Sequence, residues 1–157
     1  MKEEYVNAFL SPAKLVWEKE LGCALDLIGA EAVSNQFTTE QITAIIGVSG
    51  RLEGNVLYGF SDSTAYAVAS QMIGEPVTEL DDLGLSALGE IANMITGNAA
   101  TQLAAAGYTC DISPPVIIEP AGSRFTTPSG KQILVTFGSK LGNLNVRISL
   151  NESSRSR

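Results

Sequence analysis

Residues 83–107 read LGLSALGEIANMITGNAATQLAAAG, and this stretch decides how the rest of the chain is read. A helix turns about 100° per residue, so its faces can be separated by counting. Leu88, Ile91, Ile95, Ala99 and Leu103 fall together as an apolar stripe of the kind that packs on a core. Ser86, Glu90, Asn93, Gly97 and Ala104 fall on roughly the opposite side. That second face presents one carboxylate and one carboxamide three residues apart. A turn later come residues with almost no side chain, which would let another protein approach the backbone. A lone Glu-x-x-Asn spacing is ordinarily just a solvated helix face. Its surroundings make it more than that.

The chain has 157 residues, 45% hydrophobic and 17% charged, which is the size and balance of one globular domain with a sizeable core. No apolar run approaches the roughly 18 residues that a membrane span needs. The start, MKEEYVNAFLSPAK, has acids beside its early lysine and no continuous apolar segment of the signal-peptide kind. The expectation is therefore a cytoplasmic protein without membrane association. Cys23 and Cys110 stand alone in sequence and read as small buried apolar residues rather than as a disulfide or catalytic pair.

The chain contains no histidine. Ser-His and Cys-His nucleophilic systems, a histidine general base and His-ligated zinc are thereby excluded. No D-x-D-x-D-G calcium loop and no G-x-x-x-x-G-K-[ST] phosphate loop is present. A self-sufficient hydrolase would need unusual equipment, whereas a protein that completes a partner's active site would not. The net charge of −7 argues against nucleic acid, whose phosphates would repel such a surface. Between Arg51 and Arg124 there is no Lys or Arg, while Glu75, Glu79, Asp81 and Asp82 lead directly into the central helix. Acids favour a helix N-terminus and solubility, and they would also steer a partner that presents a lysine.

Along the chain the pattern is mixed α and β, with no internal linker. Val6 to Leu27 reads as an amphipathic helix burying Phe9, Leu10, Leu15, Val16, Leu21, Leu25 and Ile28, with an interruption at Ser11-Pro12. Within Gly29 to Glu40 a strand is expected through Ala32 to Phe37. ITAIIGVSG and GNVLYGFS are β-rich runs with glycines at the bend between them, a hairpin signal. Ser61-Asp62-Ser63 suits the cap of a helix through Thr64 to Ile73, ended by Gly74 and Pro76. Asp81 or Asp82 suits the cap of the central helix, and Gly107 its end. CDISPPVIIEP, a short piece near Arg124-Phe125-Thr126, QILVTFGS and LNVRISL read as strands. In the last, Leu144, Val146, Ile148 and Leu150 alternate with Asn145, Arg147 and Ser149, the half-buried pattern. The expected architecture is a single α+β domain over residues 1–150, an antiparallel or mixed sheet with helices on one face. Residues 151–157 read as a frayed or disordered tail.

Read as ELDDLGLSALGEIANMITGN, residues 79–98 resemble the signature helix of the CheC/CheX/FliY phosphatase family. There a Ser or Asp stands four residues before the Glu and the Asn three residues after it, as Ser86, Glu90 and Asn93 do here. Prolines follow the helix, here Pro114 and Pro115. The flanks IIGVSGRLEGNVLYGFSDSTA and YTCDISPPV are also similar to CheX, so the likeness runs from about Ile42 to Val116 and more loosely beyond. One such motif is present, where CheC is expected to carry two, which favours the CheX branch.

The resemblance implies a CheC-like fold with two long helices lying together on the sheet. It also implies a homodimer in which edge strands join two sheets into one, a role the C-terminal hairpin would fill. It implies a chemotaxis phosphatase acting on the aspartyl phosphate of a CheY-like response-regulator receiver domain. Asn93 would orient the attacking water, and Glu90 would pair with the receiver's lysine. Ser86, Met94, Gly97 and Asn98 would lie at the contact. No cofactor or metal of its own is implied, the divalent cation (Mg) belonging to the receiver. The alternative is a non-catalytic interaction module of the flagellar-switch or receiver-binding type. The FliM middle domain is similar in fold but lacks the Glu–Asn pair.

Overall fold

The computed structural model describes residues 1–38, 42–119, 124–126 and 131–153. The chain opens with α1 (Glu3–Leu21), which carries Glu3 and Glu4 in its first turn and Lys19 in its last, each sign suited to its end of the helix dipole. Two short strands follow, β1 (Asp26–Val33) and β2 (Gln36–Thr38), then the hairpin β3 (Ile42–Gly50) and β4 (Leu52–Phe60). Helices α2 (Asp62–Ile73) and α3 (Asp82–Ala105) come next. The chain then forms β5 (Cys110–Ile112), β6 (Val116–Ile118), β7 (Arg124–Thr126), β8 (Gln132–Ser139) and β9 (Gly142–Glu152).

The main sheet has the order β1-β8-β9-β4-β3-β5, with β6 also on β3, and every pair is antiparallel. β2 and β7 form a separate two-stranded ladder with Phe37 opposite Phe125. One face of the main sheet is the core: Ile46, Val56, Tyr58, Val135, Leu144, Val146, Ile148 and Leu150 are all essentially without solvent exposure. All three helices pack on that sheet's apolar side, and the long pair α1 and α3 lie against one another. Each large apolar side chain buried there contributes about 1.5–3 kcal/mol relative to exposure. Among the described residues no helix is long and apolar enough to cross a membrane.

Several sequence expectations are corrected. The first helix ends at Leu21, not Leu27, because Gly22 adopts φ +71° and donates its N–H to Glu18 O at 2.9 Å. Leu25 is buried all the same, just past the turn. Pro12 sits inside α1 without breaking it. The buried stripe runs through Tyr5, Phe9, Ala13 and Trp17, and Leu15, about 200° from both Ala13 and Trp17, is 64% exposed. Ile28 is exposed as well, because it lies on β1 rather than on the helix. That strand starts at Asp26, six residues before the expected position, and the chain turns before Gln36 into β2.

The C-terminal hairpin is not an edge. β8 pairs with β1 on its outer side, and β9 pairs with β4 from Gly59↔Asn145 to Leu52↔Glu152. A dimer joined through these strands is therefore ruled out by their own hydrogen bonding. Alternation in Leu144–Leu150 signals half-burial, which interior and edge strands share. Among the described residues, the free edges of the main sheet are β1 at one end and β5 with β6 at the other. Residues 151–153, expected to belong to the tail, are part of the sheet region. Asn151 and Glu152 continue β9, and Ser153 donates its N–H to Arg51 O at 2.9 Å. Residues 154–157, like Glu40 and Pro120 at the ends of two expected segments, lie outside the described residues.

Candidate functional site

The central helix forms as its sequence dictates. Of the two candidate caps, Asp81 takes the role: its Oδ1 accepts from Gly84 N–H at 3.0 Å, and Asp82 occupies the first turn. At the other end Gly107 has φ +98°, and Tyr108 N–H returns to Leu103 O at 2.8 Å. Leu88, Ile91, Ile95, Ala99 and Leu103 are all buried, as the stripe requires. Burial extends further round the helix, to Gly84, Ala87, Gly89, Ala92 and Thr96. The Tyr58 hydroxyl from β4 lies 2.7 Å from Thr96 Oγ1, which donates to Ala92 O at 2.8 Å. The turn carrying Asn93 is thus pinned to the sheet through a buried hydroxyl pair.

On the free side an open cleft of about 490 Å³ is lined by Asp82, Leu85, Ser86, Gly89, Glu90, Asn93, Pro115 and Ile117. Ser86 and Glu90 are exposed and Asn93 is half-buried. Among the described residues, neither Glu90 nor Asn93 is engaged in a side-chain hydrogen bond within the chain. Both are therefore available to a partner. The two ionisable groups lining the cleft, Asp82 and Glu90, are acidic.

Three of the expected site residues, Ser86, Glu90 and Asn93, share this cleft. Met94, Gly97 and Asn98 do not line it. Met94 packs against the core, a Cβ on Gly97 would lie 4.0 Å from Ile112 Cδ1, and Asn98 turns its amide back to Met94 O at 2.8 Å. Sequence reasoning missed the opposite wall, Pro115 and Ile117, and the glycine beneath it. A Cβ on Gly89 would stand 3.2 Å from Pro115 Cγ, so only a residue without a side chain leaves the proline undisturbed. A glycine inside so regular a helix, with prolines known to follow, was the available signal.

Chemically, the cleft offers a carboxamide that can donate and accept hydrogen bonds at once and a carboxylate that can only accept. Among the described residues no group of three acids or cysteines is placed to hold a metal ion. Together these two groups can hydrogen-bond a water or a cationic group.

The family model described as chemotaxis phosphatase CheX matches residues 42–137. The chain is 34% identical over 119 residues to the CheY-P phosphatase CheX of Thermotoga maritima, covering 75% of this chain and 77% of that one. Its fold superposes on the crystal structure of the chemotaxis protein CheX from Vibrio vulnificus with a TM-score of 0.85 and 26% identity, over 94% of this chain and 99% of the other. A CheX–CheY–BeF3–Mg complex from Borrelia burgdorferi contains a similar chain, with a TM-score of 0.76 and 26% identity over 94% of this chain and 98% of that one. With the Ser86–Glu90–Asn93 helix intact within the matched span, the chain belongs to the chemotaxis phosphatase CheX family.

Proposed function

We propose that this protein hydrolyses the aspartyl phosphate of a CheY-like receiver domain, with Asn93 and Glu90 as its working residues. Water attacks phosphorus in line, the bond to the aspartyl oxygen breaks, and inorganic phosphate leaves a free carboxylate on the receiver. Such a reaction is governed by positioning and charge stabilisation. The receiver brings the phosphoryl group, its divalent cation and a lysine; what it needs is a fixed water. The Asn93 carboxamide orients that water by donating and accepting together. Glu90, one turn earlier on the same face, pairs with the lysine and sets the register of the helix in the receiver's site. Ser86 stands one further turn back, where it meets the rim of the receiver.

The observation that carries this reading is the pair itself. Glu90 and Asn93 lie side by side in a cleft, without hydrogen bonds inside the chain, on a helix held from behind. The T. maritima relative is a CheY-P phosphatase, and the Borrelia chain is seen with CheY. The test is phosphate release from a phosphorylated receiver with wild type and Asn93→Ala. Removal of a group that acts in the transition state lowers turnover far more than binding. A variant with undiminished turnover would refute the role of Asn93. A wild-type chain that binds the phosphorylated receiver without hastening phosphate loss would be an interaction module instead.

We further infer that two copies join through β1. Among the described residues this strand is a free edge, exposed from Asp26 to Ala32, and it carries Leu27 and Ile28 exposed at 42% and 63%. An edge of that kind is a template for another strand. Self-pairing there would extend one sheet through both protomers and leave both α3 clefts open, since β1 lies at the far end of the strand order from β5 and β6.

A further inference from the structure

The strands β5 and β6 lie along the same neighbour but not in one register. Val48 of β3 faces Ile112, and Ile45 faces Val116. Two residues of β3, Ile46 and Gly47, therefore stand opposite three: Ser113, Pro114 and Pro115. This is a bulge of one extra residue, a device that bends a strand and re-aims its side chains. Its base is held twice: Ser113 N–H donates to Gly47 O at 2.9 Å, and Gly47 N–H donates to Ser113 Oγ at 2.8 Å. The extra length carries the chain onto α3, where Pro115 seats over Gly89 and Ile117 Cδ1 would lie 3.6 Å from a Cβ placed on that glycine. The pyrrolidine ring thus becomes the second wall of the cleft, facing Glu90 and Asn93.

We propose that Pro115 is a docking residue for the phosphorylated receiver, the apolar counterpart of Glu90, placed by the Ser113–Gly47 clamp and the Gly89 seat. This rests on the reading of the Glu90–Asn93 cleft as the receiver site. Two polar groups on one helix fix a partner along the helix axis but leave it free to roll about that axis. A contact off the axis removes the roll, and Pro115 supplies it from a different element. A proline ring has almost no rotamer freedom to lose on binding. The cleft's acidic lining selects the occupant: it repels a free anion and suits a protein surface bearing a lysine, as the receiver does in the reading above.

Steady-state phosphate release from the phosphorylated receiver tests this with Pro115→Ala, Gly89→Ala and Asn93→Ala beside wild type, and with thermal unfolding of each. Pro115→Ala is expected to raise KM about tenfold, the scale of a lost buried contact, with kcat within about twofold. Gly89→Ala, which presses a methyl group against the ring, is expected to move KM in the same direction. Pro115→Val, restoring apolar bulk, should recover part of the loss. If Pro115→Ala does not fold, Gly89→Ala decides by the same criterion. Unchanged KM in the folded variants, or a fall in kcat with KM unchanged, overturns the docking role while an inactive Asn93→Ala leaves the phosphatase reading standing. No phosphate release by wild type overturns that reading, and this one with it.

Discussion

The hydroxyl pair behind the site allows a quantitative test of how α3 is held. Thr96 gives its single proton to Ala92 O, so the bond to Tyr58 runs from the phenol to Thr96 Oγ1. Tyr58→Phe deletes the donor and leaves Thr96 still bonded to Ala92, so the cost is that of a net hydrogen bond, about 1 kcal/mol. Thr96→Val keeps the shape but strands the Tyr58 hydroxyl in a fully buried place, at about 2 kcal/mol. The double variant no longer has a stranded group, and its loss should fall short of the sum by about 1 kcal/mol. In a chain of this length each kcal/mol lowers the melting temperature by about 2–4 °C. Urea unfolding of the four proteins closes the cycle. The same tyrosine gives a pH signature. Burial pushes its hydroxyl well above the ordinary tyrosine range. The unfolded chain loses that proton near pH 10 and the folded one does not. Stability contributed by the neutral phenol is therefore complete below pH 10 and declines above it, by about 1.4 kcal/mol per pH unit. Tyr58→Phe should flatten that decline by one proton. Additive losses, or an alkaline slope unchanged in Tyr58→Phe, would refute the coupling.

Glu90→Lys should weaken binding of the phosphorylated receiver more than Glu90→Ala, since it sets lysine against lysine, and the difference should shrink at high salt in titrations at two ionic strengths. Asp81→Ala removes the α3 cap and should cost about 1 kcal/mol in urea unfolding, without changing phosphate release at saturating receiver. Gly142→Ala places a side chain at φ +126° and against Thr64 of α2; a loss of about 2 kcal/mol or more is expected, and a melting temperature equal to wild type would contradict the close approach. Ile28→Lys on the exposed β1 edge should convert dimer to monomer in light scattering while leaving the melt of the monomer unaltered. A wild type that scatters as a monomer removes the edge-pairing proposal.

What could be read in advance was what repeats. The α3 stripe recurs every three to four residues from Leu88 to Leu103, and its cap, its glycine end and the Ser86–Glu90–Asn93 spacing are all local, so the helix and the three residues that share its cleft could be read together. The hairpin from Ile42 to Phe60 was equally plain, because alternation and glycines agree there. Misreadings arose where local pattern serves two outcomes. Leu25 and Ile28 continue an apolar series past Leu21, but the left-handed turn at Gly22 redirects the chain into a strand whose exposure no periodicity announces. Alternation in Leu144–Leu150 reports one buried face and is silent on how many neighbours a strand has. The wall at Pro115 was only indirectly signalled, for another reason. It depends on one extra residue opposite β3 and on a missing side chain at Gly89, two facts more than twenty residues apart whose meeting is purely tertiary.

The confinement of the Glu90–Asn93 pair to a single helix bears on how such a protein tolerates change. An inserted residue between Asp81 and Glu90 would leave the interval from Glu90 to Asn93 untouched, yet it would swing both by about 100° together and bring core leucines out in their place. Such an insertion thus cannot misalign one group against the other; it can only aim both wrongly. Drift in length is therefore expected to accumulate outside Asp81–Asn93, and a designer grafting this pair elsewhere needs to copy a heading rather than a distance.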